Sequence, residues 1–246
     1  MKKILLLIFG RQSKIVKYLV ILKNSYQTLK KILPQVKTNK LKFIFKIIQG
    51  HYYIEFQKNL DNEKEYFYKK YQFNYGDFFS GNINIWKSYL TPLKEIKYLE
   101  IDSFEGRSAV FVGELDNVKE ITSVDTFEGS DELNTSKRSN HFMKPKIPEF
   151  LNINFDLVYK NCSENLNKLK TPYKLIKDTS HNFFKSNNKK FNVIYIDGSH
   201  FYEDVKKDFI NSMNCLEEDG ILICDDFYWF FYEKIEQNPI GAILEC

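Results

Sequence analysis

Acid is missing from the start of the chain. Residues 1–54 hold twelve Lys and Arg and neither Asp nor Glu; the first carboxylate is Glu55. The whole 246-residue chain carries 36 Lys and Arg against 32 Asp and Glu, so the remainder has 24 basic and 32 acidic residues, a net of −8. This is an acidic body with a basic arm, and each needs its own explanation. Long apolar runs are missing too. The run Ile4–Phe9 stops at Gly10 and Arg11 with no small-residue cleavage site after it, so it does not read as a signal peptide. No segment approaches the roughly 18–20 apolar residues of a membrane span. Cysteine is scarce. Cys162, Cys215, Cys224 and Cys246 form no CxxC pair, which excludes a disulfide scaffold and argues against zinc. Four thiols of this kind suit a reducing compartment, the cytoplasm. Internal repeats and low-complexity linkers are absent as well.

What is present is enough for one sizeable core. Hydrophobic residues make up 43% of the chain, and 22 Phe and 16 Tyr can fill it. In the arm, Ile15, Tyr18, Leu19, Leu22, Tyr26, Leu29 and Leu33 keep helical spacing, and Pro34 should end that helix. Lys14, Lys17, Lys23, Lys30 and Lys31 lie mostly off the stripe. A second basic-apolar stretch runs from Lys40 to Ile48. Three uses compete for the arm. It could pack its stripe on the body, rest peripherally on an anionic membrane through residues 1–50, or contact nucleic-acid phosphates. No recognised nucleic-acid module supports the last. Residues 51–75 read as helical and rich in aromatics.

Beyond residue 85 strands and helices alternate. Strands are expected at 96–101, 120–125, 173–177, 191–197 and 220–224, and helices at 86–90, from 106–108, at 154–169, 202–216 and 228–237. Such alternation implies a doubly wound, mostly parallel α/β sheet. Ligands bind outside the carboxyl ends of such strands. Four of these strands end in acids: Glu100 and Asp102, Asp125, Asp197, and Asp225 with Asp226. A single acid there is commonly a helix cap or turn former. Acids at four strand ends predict a cluster on one rim.

The segment Tyr98-Leu-Glu-Ile-Asp-Ser-Phe-Glu-Gly-Arg-Ser108 resembles the first cofactor motif of class I S-adenosylmethionine-dependent methyltransferases. More narrowly it resembles the family-24 group, related to catechol and macrolide-sugar O-methyltransferases. Ser123 to Glu132, Tyr195 to Asp204 and Gly220 to Phe227 resemble that group's later motifs, in the same order and spacing. The resemblance covers about residues 75–243. It implies a Rossmann-like methyltransferase domain over 76–246 and a basic helical extension over 1–75.

The resemblance also implies a site. The turn through Asp102, Ser103, Phe104, Gly106 and Ser108 would approach the methionine part of S-adenosylmethionine, with Glu100 near its amino group. Asp125 would take the ribose hydroxyls, with Thr126 beside it, and Ser180 and His181 would lie by the adenine. Asp197 would border the cofactor and, with Asp225 and Asp226, hold Mg2+ or another divalent cation, since hard oxygens suit such ions. His200 would be the base that takes the acceptor's proton.

Two departures stand out. Position 102 is Asp where the family has Gly, and the chain stops at Cys246 where relatives continue into a final antiparallel hairpin. The expected function is cation-assisted O-methylation of a small-molecule or sugar hydroxyl by a cytoplasmic protein, alone or as a homo-oligomer. Two alternatives stand beside it: a weak or inactive cofactor-binding protein, and a nucleic-acid methyltransferase that uses the arm. Gly-x-Gly-x-x-Gly is absent after the first strand, which disfavours a dinucleotide enzyme.

Overall fold

The computed structural model describes residues 14–36, 40–41, 44–45, 47–49, 51, 69–129, 153–227, 229 and 234–246. The chain divides into two compact units, Met1–Glu63 and Lys64–Cys246.

In the first unit, helix α1 spans Lys14–Ile32, and Leu33–Gln35 close it as a 3-10 turn around Pro34. Residues 40–41, 44–45, 47–49 and 51 are also helical. Thr28 Oγ1 and His51 Nε2 lie 3.0 Å apart in a hydrogen bond. The expected apolar stripe is not the covered face. Tyr18, Leu19, Leu22 and Tyr26 are exposed, whereas Ile21 and Ser25 are buried. Periodicity shows which residues share a face, but not which face is covered.

The second unit is built on five parallel strands. They are β1 Ile96–Ile101, β2 Val118–Asp125, β3 Tyr173–Lys177, β4 Phe191–Ile196 and β5 Leu216–Cys224, in the order β3-β2-β1-β4-β5. Along β1 and β4 almost every residue is buried, as the apolar runs require of strands covered on both faces. Helices α2 Ile83–Leu90, α3 Arg107–Gly113 and α4 Phe155–Leu166 join Tyr98, Ile121, Val193 and Tyr195 in the core of one face. Helices α5 Ser180–Ser186 and α6 Tyr202–Cys215 join Leu99, Ile101, Val124 and Ile194 on the other. The sheet is thus doubly wound. The order reverses at β1, whose neighbours are β2 and β4, and a ligand crevice opens at such a point. Among the described residues β5 is an edge strand.

Two expectations are corrected. The helix read over 228–237 lies mostly outside the described residues; 235–237 is a 3-10 turn, and Pro239 opens a separate helix, α7 Pro239–Glu245. The helix read over 51–75 also lies mostly outside them. Residues 69–70 are helical, but 71–79 are not.

Candidate active site

The carboxyl ends of β2, β1, β4 and β5 lie side by side, so Asp125, Asp102, Asp197, Asp225 and Asp226 share one rim. The chain leaves this rim through strained turns. Left-handed backbone occurs at Asp102 (φ 68°), Phe104 (φ 49°) and Gly106 (φ 77°) after β1, Phe127 (φ 52°) after β2, and Asp226 (φ 54°) after β5. Non-glycine residues held this way cost on the order of 1–3 kcal/mol each, and they gather where geometry serves function. Position 102, glycine in the family pattern, does require the left-handed conformation. Gly106 could not carry a side chain, since a Cβ would lie 3.1 Å from Cys162 Sγ.

Asp125 holds the first of these turns. Its Oδ2 accepts the backbone N–H of Ser103 at 2.9 Å and of Phe104 at 2.8 Å, and its Oδ1 accepts Phe127 N–H at 2.6 Å. A carboxylate offers about four lone-pair sites. Three are taken by backbone, which leaves Asp125 capacity for one further donor, on Oδ1.

Glu100 is wholly buried on β1. Its Oε2 accepts the Tyr98 hydroxyl at 2.8 Å. Its Oε1 and the Ser103 hydroxyl are buried without a hydrogen-bond partner. Burial pushes the Glu100 carboxyl up to about 7, against the opposing pull of the nearby Ser108, Tyr98 and Ser103 hydroxyls. Burial, then the charge of Asp125, likewise push Asp102 well above the usual carboxylate range.

On the β4–β5 side, the Tyr195 hydroxyl lies 2.8 Å from Asp197 Oδ2 and 2.5 Å from Asp225 Oδ2. One hydroxyl has one proton to donate, so two ionised carboxylates cannot both be satisfied by it. Burial and the neighbouring acids raise Asp197 and Asp225 accordingly. Trp86 of α2 stacks edge-on against Tyr195 at 4.7 Å. Asp226 is engaged elsewhere. Its Oδ2 lies 2.6 Å from His200 Nε2, and the Trp229 ring stacks on that imidazole at 4.3 Å. The three acids therefore divide into a pair on Tyr195 and a single acid on His200. Among the described residues no group of three or more His, Cys, Asp or Glu side chains is arranged to hold an ion.

The remaining expected residues scatter. Ser108 is buried in the first turn of α3, beside Glu100. Thr126 Oγ1 accepts Glu128 N–H at 3.3 Å within its own turn. Ser180 opens α5 behind the Thr179 cap, and its hydroxyl faces Asp208 of α6, which burial raises to about 6. His181 is exposed on the same turn.

One group was not anticipated. Glu105, inside the β1 turn, is buried. Its Oε1 accepts Asn74 N–H at 2.7 Å and the Asn161 amide at 2.8 Å, and its Oε2 accepts Tyr75 N–H at 3.0 Å. Asn165 donates to Gln72 O at 2.8 Å and Glu105 O at 3.0 Å. Residues 72–75 are thereby strapped to the turn, and Tyr75 and Phe78 pack on Phe104 at 5.8 and 6.1 Å. A signal did exist. Asn161 and Asn165, four apart, interrupt the apolar face of α4 formed by Val158, Cys162 and Leu166.

A doubly wound parallel sheet with a left-handed turn after β1 and acids along the adjoining rim defines a Rossmann-like nucleotide-cofactor fold. The sequence model of the family described as a methyltransferase domain, Methyltransf_24, matches residues 99–227, more than half of the chain; the protein belongs to that family. No curated protein matches the chain. Similar solved structures include cofactor-bound Rv0187 from MTB (9% identity, 60% of this chain and 56% of that one covered, TM-score 0.42). Others are the O-methyltransferase TomG of Streptomyces achromogenes, involved in tomaymycin synthesis, with SAM (10%, 55% and 50%, 0.37), and an O-methyltransferase of Bacillus cereus with SAH (12%, 62% and 59%, 0.41). This chain spans about half the length of these proteins. No helix among the described residues is long and apolar enough to cross a membrane.

Proposed function

We propose that the protein is an S-adenosylmethionine-dependent O-methyltransferase acting on a hydroxyl of a small molecule or sugar. The observation that carries this reading is the buried, unpartnered Glu100 Oε1 beside the turn that Asp125 holds. A carboxylate kept dry and unsatisfied favours a cationic ligand, because a positive charge restores the ionised form that burial disfavours. The cofactor's amino group is such a cation, and Asp125 retains an acceptor site for a ribose hydroxyl. When bound, the cofactor supplies a methyl group on a sulfonium.

The chain's own part is to orient and to move a proton. The turn 102–106 positions one reactant. His200, held by Asp226 and covered by Trp229, takes the proton of the acceptor hydroxyl as its oxygen attacks. A divalent cation, in the cation-assisted form of this reading, would be held by Asp197 and Asp225 and would lower the pKa of a bound hydroxyl. Asp226 then serves His200. The free thiols suit a cytoplasmic setting.

Calorimetry with S-adenosylmethionine tests the first step, and turnover over a panel of glycosides and catechols, with and without magnesium, tests the second. Absence of cofactor binding to the full chain overturns the reading.

A further inference from the structure

The basic unit takes no part in the site described above, and the inference from it stands independently of the methyltransferase reading. Helix α1 carries Leu19, Leu22 and Tyr26 on one exposed face, with Tyr18 beside them. Tyr26 is 66% exposed and Leu22 58%, against 3% for Ile21 and 2% for Ser25 on the covered face. Single exposed apolar residues are ordinary on a soluble protein. Four within nine residues, all on one side of a helix, make a stripe that water disfavours. Leu41 and Phe45, four apart in the second helical stretch, repeat the pattern at 69% and 64% exposure.

Charge says what covers the stripe. Lys23 and Lys30 are exposed and lie at one flank of it by helical position. The first 54 residues hold twelve cations and no anion. A protein partner would have to meet both an aliphatic face and an uncompensated positive field. A nucleic acid would use the lysines and leave Leu19, Leu22 and Tyr26 in water. An anionic bilayer takes both at once: the apolar face enters the boundary between headgroups and acyl chains, and the lysines stay with the phosphates. The mode is in-plane, since no described helix can span.

We propose that α1 is a peripheral membrane-docking helix that binds anionic phospholipid surfaces through Leu19, Leu22 and Tyr26 with flanking lysines.

The test uses the full chain and two kinds of vesicle, phosphatidylcholine alone and an equimolar mixture of phosphatidylcholine and phosphatidylglycerol. Sedimentation with the mixed vesicles and not with phosphatidylcholine alone is expected. Leu22→Glu with Tyr26→Glu should abolish it. Lys23→Gln and Lys30→Gln should weaken it about fivefold each, the worth of one cation near an anionic surface. All four positions are exposed, and an unchanged circular dichroism spectrum and melting temperature would establish that the variants are folded. Three results overturn the proposal: no sedimentation with either vesicle; RNA binding that survives the Leu22/Tyr26 exchange while vesicle binding is nil; or a dimer in solution, without vesicle binding, that the same exchange dissociates.

Discussion

The carboxylate of Asp125, closing β2, accepts the backbone amide of Phe104 in the turn after β1 at 2.8 Å, so the acid of one strand shapes the loop of its neighbour. With the bonds to Ser103 and Phe127 it fixes three amides around two left-handed residues. Asp125→Asn replaces one acceptor oxygen by a donor facing amides. Hydrogen bonds to a charged group are worth about 1.5–3 kcal/mol each. We expect a loss of about 2 kcal/mol in urea unfolding and at least a tenfold loss of cofactor affinity. Unaltered unfolding would show that the turn holds itself.

Glu105 ties residues 74 and 75 to the turn and to α4. Glu105→Ala strands three donors in a buried place, a change worth about 3 kcal/mol at the usual penalty for unsatisfied groups. Glu105→Gln keeps one acceptor oxygen and should cost clearly less. Chemical denaturation of the two variants checks the order.

Glu100 sets a pH dependence with a definite sign. Its folded pKa is raised to about 7 from an ordinary 4.5, so the folded state binds more protons between these values. Stability is then full at the acid end and falls as pH rises through that window, by up to about 3 kcal/mol from this group. Asp208, raised to about 6, adds to the same trend. Glu100→Gln should flatten the dependence and raise stability at pH 8, while weakening cofactor binding at least tenfold. Thermal melts between pH 5 and 8 read the first effect and calorimetry the second.

His200 and Asp226 separate chemistry from binding. On the proposed mechanism His200→Ala should lower turnover by about 10²–10⁴-fold, the range for a general base, with cofactor affinity within about twofold. Asp226→Asn should lower turnover less and shift the pH profile of kcat, since it acts through the imidazole.

Asp102 occupies left-handed backbone while its carboxyl crowds Asp125. Asp102→Gly relieves both, so a stabilisation of about 1 kcal/mol is expected in denaturant melts, along with tighter cofactor binding. A less stable variant would mean that the glycine's added freedom outweighs the relief.

How far the sequence could be read depended on how far apart the interacting residues lie in it. Strand β1 ends at the residues its apolar run marks, and the acids at 125, 197 and 225 reach one rim because parallel strands bring like ends together. Helix α5 escaped, at seven residues too short for a 3.6-residue period to show, although Thr179 is an ordinary cap for it. The Glu105 bonds reach 30 to 56 positions away, and no local pattern announces them. The stripe on α1 was found correctly as a stripe and assigned to the wrong environment. Likewise the three acids after β4 and β5 were legible, but their division between Tyr195 and His200 arises from turn geometry at Asp226.

The chain has two tryptophans. Trp86 lies against Tyr195, whose hydroxyl joins Asp197 to Asp225, and Trp229 lies flat on His200. All indole emission from the protein therefore originates at the acid rim. Its intensity and wavelength form an intrinsic optical gauge of that rim, by which protonation or an arriving ligand can be followed in the unlabelled protein.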